Sequence, residues 1–369
     1  MPQRITLLTP LDDVLARIAG CVNPIGAQWI DDLASALGRT VAEDIRAEMP
    51  IPPRAIALRD GWALSSPLTV DAGPYAPAHV PAAIRLDVGE MLPTDADSVA
   101  PLDAVLPGDG EAQVVSPVTF GEGVLPAGGD ALEGVALIRA GEKLDAPRIA
   151  LLAALDIRQA KIRVPRVSLA RAHSAPDRVL DSVMACISAA IEQASALATI
   201  TGAGEVLERA LKQTDVDALV IVGGTGCGRQ DQAVETLASV GNVHAHGIGL
   251  IPAETAGFGS IDHRPVLLLP GRVDAALAAW HVLGRAILTR LTGSTEPACL
   301  RTAKLTRKVS SAAGLAELVP VRCEGSLATP LGSGYQPISA LCRANGWILI
   351  PPESEGQPEH SEVVVRSWP

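Results

Sequence analysis

A glycine-rich turn near the middle of the chain has the residue types of a ligand site. The apolar run LVIV ends at Gly223, and GGTGCG (223–228) then carries four glycines before a helix-like stretch. Glycine tolerates positive φ, so backbone N–H groups in such a turn can point at a ligand without a side chain in the way. The N-terminus of the next helix adds about half a positive charge. The turn is either an anion site or a purely structural tight turn.

The turn departs from two standard phosphate-binding motifs. It lacks the lysine of GxxxxGK[ST], and Arg229 stands where GxGxxG needs its third glycine. Arg229 either pairs with a phosphate or is solvated. Asp231 follows near the predicted helix start, where a carboxylate either stabilises the helix N-terminus or faces a ligand, directly or through a metal.

A second turn of the same kind lies in LLLPGRVDAAL (267–277), where an apolar strand ends in Pro270-Gly271 before a helix. Ligands bind at the carboxyl ends of strands in open α/β sheets. We expect the two turns to lie side by side if their strands are neighbours.

These turns need a sheet to position them, and the pattern of the chain supplies one. Residues 164–296 alternate apolar strands with amphipathic helices, which predicts an open α/β sheet domain. Residues 1–48 and 135–163 read as helical, including a helix in 29–45, and are expected to form one linker or dimerisation domain. Residues 49–134 predict a small β-rich lobe, and 297–369 a C-terminal β domain. The predicted fold class is a multidomain α/β protein.

Composition excludes several function classes. The net charge is −11 without any run of Lys or Arg, which argues against nucleic-acid binding. No apolar run is long enough to span a bilayer, and the N-terminus lacks a signal peptide. The six cysteines form no CxxC or Cys/His ligand spacing, which is typical of reduced thiols. We expect a cytoplasmic protein that contacts neither nucleic acid nor membrane.

Taken in order, several segments resemble the MoeA family of molybdopterin molybdotransferases, which is related to the gephyrin E domain. RDGWAL is similar to MDGYAV, VGGTGCGRQD to SGGVSVGxxD, and LLLPGRVDAAL to GLPGNPVSAL. Three further segments are similar to family blocks: VGEMLPTDADSVAPLDAV (88–105), GGDALEGVALIRAGEKLDAPRIALLAALDI (128–157) and SGYQPISALCRANGWILIPPESEG (333–356). The resemblance covers nearly the whole chain.

The resemblance implies a homodimer of four-domain subunits whose central domain is a MogA-like molybdopterin-binding sheet. It also implies a reaction in which adenylylated molybdopterin and molybdate become molybdenum cofactor and AMP, with Mg²⁺ assisting. The partners implied are the pterin ligand and either a MogA-like adenylyltransferase or a molybdoenzyme maturation factor. The candidate catalytic carboxylates are Asp60, Asp181 and Asp231, and Asp231 and Asp60 are the candidate metal ligands. The candidate pterin-binding residues are Gly223, Gly224, Thr225, Gly226, Gly228, Arg229, Pro270, Gly271 and Arg272.

Other positions depart from the family pattern. The TGDEL motif has no counterpart near His173 and Ser174, and Ile251 and Glu254 replace the two lysines of KPGKP. A glutamate in place of a lysine repels an oxyanion. His244 and His246, two residues apart, are either a metal pair or ordinary strand histidines.

Three hypotheses therefore remain. The chain is a divergent molybdotransferase, a protein that binds molybdopterin or the finished cofactor without inserting metal, or an interaction scaffold on the same fold.

Overall fold

The computed structural model describes residues 4–81, 83–108, 110–173, 177–201, 207–229, 231–296 and 300–368. Ser174 and Cys299 lie outside the described residues. The chain divides into one unit of residues 1–43 and 140–369 and a second unit of residues 44–139. The second unit corresponds to the lobe predicted at 49–134.

The first unit begins with helix α1 (Leu11–Cys21), as the apolar periodicity predicts. Val14 and Ile18 are buried on its inner face, and two aspartates occupy its first turn. The second predicted helix, in 29–45, is wrong. Instead, strand β1 (Gln28–Ile30), one 3₁₀ turn (Leu33–Ala36) and strand β2 (Thr40–Val41) follow.

Local chemistry explains why that second helix does not form. The Asp32 carboxylate accepts the Ala34 N–H and caps a single turn, and Gly38 then adopts φ +74°. The strands β1 and β2 pair antiparallel with β13 (Ala160–Arg163). The chain after helix α2 (Ala146–Ala154) thus rejoins the N-terminal segment, as predicted.

The second unit consists of short strands in small sheets, as its Pro- and Gly-rich sequence predicts. Its strands are β3 (Ile45–Arg46), β4 (Ile56–Ala57), β5 (Gly61–Leu64), β6 (Ala78–Pro81), β7 (Ile84–Leu86), β8 (Ser98–Pro101), β9 (Val105–Pro107), β10 (Glu111–Val114), β11 (Val124–Leu125) and β12 (Ala136–Ile138). Three-stranded sheets form in the orders β7-β5-β8 and β6-β10-β9, and two pairs, β4 with β11 and β3 with β12, complete it.

The α/β part of the first unit is a six-stranded sheet in the order β15-β14-β16-β20-β19-β17. Its strands are β14 (Arg166–Arg171), β15 (Leu197–Ile200), β16 (Ala218–Val222), β17 (Asn242–His246), β19 (Gly257–Ile261) and β20 (Arg264–Leu269), and β18 (Leu250–Ile251) lies outside this sheet. The four strands β15, β14, β16 and β20 are parallel to one another. At one edge, β19 runs antiparallel to β20, and β17 runs antiparallel to β19.

Helices pack on both faces of this sheet. They are α3 (Arg178–Gln193), α4 (Leu207–Leu211), α5 (Ala233–Val240), α6 (Val273–Ala279) and α7 (Arg285–Thr292). All five residues of β16 are buried, as expected for a strand covered on both sides. The sequence AGEVLERALKQ (203–213) predicts a helix, of which the structure describes Leu207 onward. The four-residue spacing of Val179, Val183, Ile187 and Ile191 predicts one buried face of α3. The last three are buried, but Val179 is exposed.

The C-terminal part of the first unit is a barrel. Its secondary-structure elements are β21 (Leu300–Leu305), β22 (Val309–Ser310), β23 (Ala316–Glu324), β24 (Leu327–Pro330), α8 (Ile338–Leu341), β25 (Gly346–Ile350), β26 (Gly356–Gln357) and β27 (Glu362–Ser367). Strands β23, β24, β21, β27 and β25 form a ring because β25 also pairs with β23. Strand β18 pairs in parallel with β23 and so joins the α/β part to the barrel. Among the described residues, no helix has the length and apolar character needed to cross a membrane.

A buried histidine lies where the barrel meets the α/β part. His281 belongs to a π-helical turn (Trp280–Gly284) between α6 and α7. Its ring centroid lies 4.5 Å from that of Trp368 and 6.0 Å from that of Trp347. Both ring nitrogens of His281 and the indole N–H of Trp347 lack a partner within the described residues. Burial, with a smaller effect from Arg285, lowers the pKa of His281 from 6.5 to about 3.

We expect this histidine to make the first unit acid-sensitive. Because the folded pKa is depressed, the unfolded chain binds the extra proton between about pH 6.5 and pH 3. The free energy of unfolding should therefore fall as the pH drops through this window, by up to about 1.4 kcal/mol per pH unit. In His281→Phe this slope should be shallower, measured by urea unfolding followed by tryptophan fluorescence. His79→Phe, at an exposed histidine, is the control, and equal slopes in both variants would contradict the assignment.

Candidate functional site

The carboxyl ends of three neighbouring parallel strands meet at one edge of the α/β sheet. Strand β16 ends at Val222 between β14 and β20, so the two glycine turns adjoin. The Gly223 N–H donates to the Leu269 carbonyl at 2.9 Å. A Cβ on Gly271 would lie 3.7 Å from the Gly223 Cα. The predicted adjacency of the two turns is confirmed.

Glycine is required at the start of the first turn for two reasons. Gly223 and Gly224 adopt φ of +89° and +67°, a region that disfavours a Cβ. In addition, a Cβ on Gly224 would lie 2.6 Å from the Cβ of Ala172, which follows β14. The turn is therefore a place of close backbone approach as well as of unusual φ.

The amides of this turn differ from the sequence expectation. The sequence predicts that the amides of 223–228 point at a ligand, but Gly223 donates to Leu269, and Gly228 donates to the Asp231 carboxylate at 2.8 Å. The Asp231 N–H in turn donates to the Gly228 carbonyl at 3.2 Å. This reciprocal pair closes the turn on itself, as short polar side chains commonly do at helix starts. For Gly223 and Gly228 the expectation is therefore wrong in this conformation.

Thr225 was predicted to contact the pterin, and the structure instead buries it. Its hydroxyl lies 3.2 Å from the hydroxyl of Thr255, and its carbonyl accepts a hydrogen bond of 2.8 Å from Nε2 of His246. His246 thus carries its proton on Nε2 here. His244 Nε2 lies 2.8 Å from the Ser260 hydroxyl. Both histidines hold protein partners, and Thr225 anchors the turn rather than forming its surface.

Asp181 neutralises a buried cation at the same edge. The Arg171 side chain, the last residue of β14, is only 7% exposed and lies 3.2 Å from the half-exposed Asp181 carboxylate. A buried guanidinium requires such a counter-charge. The Asp181 carboxylate is itself 54% exposed and so remains open to solvent.

Arg272 and the buried Asp274 form the strongest polar contact of the second turn. The Asp274 carboxylate accepts hydrogen bonds from Nε of Arg272 at 3.1 Å and from Nη2 at 2.6 Å. It also accepts the Gln336 backbone N–H at 3.1 Å, from the loop before α8. The hydrogen bond that Arg272 donates to Asp274 is the main cause of the raised pKa of Arg272. Sequence reasoning missed Asp274, whose signal is an acid in the buried first turn of α6.

The other candidates lie apart from these contacts. Arg229 is exposed and has no hydrogen bond or ion pair within the described residues. Asp60 belongs to the second unit, where its carboxylate accepts the Val88 N–H at 2.8 Å and so joins the segments RDGWAL and VGEMLP. No group of three or more His, Cys, Asp or Glu side chains suited to a metal occurs in the described part of the chain. The Asp231 and Asp60 carboxylates lie in different units, and each accepts one protein amide.

The positions that depart from the family pattern differ in their surroundings. Ile251 lies in β18, paired with the barrel. Glu254 is partly buried, and its carboxylate has no hydrogen bond or ion pair within the described residues. Nδ1 of His173 is buried, also without a partner among the described residues.

An open cavity of about 330 Å³ lies at the opposite, amino edge of the parallel strands. Arg166 at its wall is held by Asp217, whose carboxylate accepts the Arg166 backbone N–H at 2.7 Å. Because this edge carries the strand starts rather than the glycine turns, we do not place the ligand there.

Comparison with known proteins finds matches over most of the chain. The model described as "MoeA N-terminal region (domain I and II)" matches residues 9–155. The model "Probable molybdopterin binding domain" matches 169–290, and "MoeA C-terminal region (domain IV)" matches 302–367. The chain belongs to the MoeA family.

Individual MoeA relatives match over most of their length. A molybdopterin biosynthesis protein of Methanocaldococcus jannaschii is 26% identical over 368 residues, 90% of each chain. Molybdopterin molybdenumtransferase 1 of Mycobacterium tuberculosis is 26% identical over 372 residues, 85% of each chain. The crystal structure of the molybdopterin biosynthesis MoeA protein of Pyrococcus horikoshii superposes with a TM-score of 0.84 at 26% identity, covering 98% of this chain and 99% of that one. The multidomain α/β fold predicted from the sequence is confirmed.

We expect Gly224→Ala to destabilise the first unit by about 2–4 kcal/mol, because it combines positive φ with the contact at Ala172. Gly325→Ala is the matched control: Gly325 also has positive φ, +57°, but open space around it, so only about 1–2 kcal/mol is expected. Chemical denaturation measures both. Equal losses would show that the close approach at Gly224 costs nothing.

We expect Asp274→Ala to lower the free energy of unfolding by about 1–3 kcal/mol, because the Gln336 amide and the Arg272 guanidinium both lose their acceptor. Glu324→Ala removes an acid at the same spacing from an arginine, but at an ion pair with exposed partners, and should cost at most about 1 kcal/mol. Urea titration of both variants is the measurement. A similar small loss in both would contradict the anchoring role of Asp274.

Proposed function

We propose that this MoeA-family chain inserts molybdate into adenylylated molybdopterin during molybdenum cofactor biosynthesis, releasing AMP. The observation that carries the proposal is the pairing of two glycine turns at adjoining carboxyl ends of β16 and β20, inside the domain matched by the molybdopterin-binding model. Small ligands bind at this position in open α/β sheets. The names of the mycobacterial relatives support the same reaction.

The proposed ligand lies along the turns 223–229 and 270–272. Arg229 is an exposed cation at the rim of the first turn and supplies charge for the phosphate. Asp231 lies at the centre of the proposed site because its carboxylate holds the Gly228 amide. When this carboxylate turns to the ligand or to a metal, the amide becomes a donor for the phosphate.

The other two carboxylates have separate proposed roles. Asp181 keeps the Arg171 charge balanced while its carboxylate stays half-exposed. Asp60 lies in the second unit, and its catalytic role remains a prediction from the resemblance. Magnesium remains a prediction from the resemblance, and no step is assigned to it. Molybdate is the second substrate.

A second candidate function is favoured by Glu254. The MoeA-like pattern has a lysine where this glutamate stands, and a carboxylate there repels an oxyanion. In this alternative the chain binds molybdopterin or the finished cofactor without inserting molybdate. We further propose that the protein is a cytoplasmic homodimer, for which light scattering of the purified chain is the direct measurement.

Purified protein supplied with adenylylated molybdopterin, molybdate and Mg²⁺ should release AMP above a protein-free control. Asp181→Asn should reduce the rate at least about 10-fold, because it removes a charge that balances a buried guanidinium at the site. Asp217→Asn, at the amino edge, should leave it within about twofold. AMP quantified by chromatography is the readout. Pterin binding without AMP release would favour the binding protein over the transferase.

A further inference from the structure

The loop before α8 in the barrel reaches the glycine turns of the sheet. Gln336 is buried, and its backbone N–H donates to Asp274. Glu317, also buried, accepts the Ser333 hydroxyl at 2.7 Å and the Gly334 N–H at 2.6 Å. Two buried carboxylates thus fix the main chain on either side of Tyr335.

Tyr335 is presented to solvent beside Arg272. Its ring centroid lies 5.4 Å from Cζ of Arg272, a cation–π distance. The Tyr335 residue is nevertheless 65% exposed. A rigid exposed aromatic ring at the edge of a site is a surface on which a planar heterocycle can stack.

Arg272 keeps one edge of its guanidinium available. Asp274 takes Nε and Nη2, and the opposite edge, at Nη1, has no acceptor within the described residues. The arginine side chain is 57% exposed. It can donate to one further oxygen without giving up its link to Asp274.

Glu254 is the third side chain of this set, with Tyr335 and Arg272. Its neighbour Thr255 lies 3.2 Å from Thr225 of the first glycine turn. Glu254 also adds to the raised pKa of Arg272, after the larger effect of Asp274. Two carboxylates around one guanidinium leave a local net charge of −1. That balance disfavours an oxyanion here and favours a ring whose N–H groups donate to a carboxylate.

We propose that Tyr335, Glu254 and Arg272 form a clamp that selects the 2-amino-4-oxopyrimidine ring of the pterin. The ring stacks on Tyr335, its adjacent N3–H and 2-amino groups donate to the Glu254 carboxylate, and its 4-oxo group accepts from Nη1 of Arg272. Adenine presents an acceptor beside its amino group, so one carboxylate oxygen would face a lone pair. The clamp deepens, and rests on, the proposed molybdopterin function, and it makes Glu254 a specificity residue rather than a damaged molybdate contact.

The test is titration of the full-length protein with two neutral probes, 6-hydroxymethylpterin and adenosine, followed by fluorescence and calorimetry. Tyr335→Ala should weaken pterin binding about 10-fold through lost stacking, and Tyr335→Phe should stay within about twofold of the unaltered protein. Tyr75→Ala removes a fully exposed tyrosine of the second unit and should change nothing. Glu254→Gln should weaken pterin binding about 10-fold, because one carboxylate acceptor becomes a donor, without weakening adenosine binding.

Three results would each overturn the clamp. The protein does not bind the pterin, it binds the pterin no more tightly than adenosine, or Tyr335→Ala and Glu254→Gln leave pterin binding unchanged. AMP release measured separately distinguishes this failure from failure of the proposed function. A protein that releases AMP while both variants bind the pterin unchanged is a transferase without the clamp. A protein whose pterin binding depends on Tyr335 and Glu254 but that releases no AMP keeps the clamp and is not a transferase.

Discussion

The close parallel pairing of β16 with β20 is the constraint on which the site depends. The hydrogen bond from Gly223 to Leu269 extends the ladder by one residue beyond the strand, and a Cβ added to Gly271 would lie 3.7 Å from the Gly223 Cα. A side chain at Gly224, the next residue, would collide with Ala172 after β14. The ligand edge of the sheet thus exists because two apolar strands pair to their ends and then turn without side chains.

Two buried carboxylates connect the site on the α/β sheet to the barrel. Asp274 and Glu317 are each almost fully buried, where an unpaired charge would be costly. Asp274 compensates that cost with Arg272 and the Gln336 amide, and Glu317 does so with Ser333 and Gly334. The same bonds that satisfy these charges fix Tyr335 at the end of the α/β sheet. The hydrogen bonds that stabilise the two buried carboxylates therefore also position Tyr335 of the proposed clamp.

Charge at the site is balanced in local pairs, although the whole chain carries −11. Arg171 is matched by Asp181 and Arg272 by Asp274, whereas Arg229 and Glu254 have no ion pair within the described residues. Such a site offers separate patches of opposite sign rather than one anion pocket. A zwitterionic arrangement of this kind suits a ligand that carries both a phosphate and a ring with N–H donors.

The sequence by itself determined the local features of this protein. Apolar periodicity located α1, α3 and the buried strands. The Pro- and Gly-rich composition marked the lobe, and motif order identified the family. The predicted helix in 29–45 failed because pairing with β13 and the Asp32 cap outweighed an apolar spacing that helix and short strands share.

Only the tertiary structure decided which groups meet. Partners far apart in sequence, such as Asp274 with Gln336 or Thr225 with His246, leave no local pattern. The amide of Gly228 was assigned to a ligand because sequence shows a donor but not the acceptor that packing brings to it. Propensity acts between neighbours along the chain, whereas burial and charge pairing act between neighbours in space.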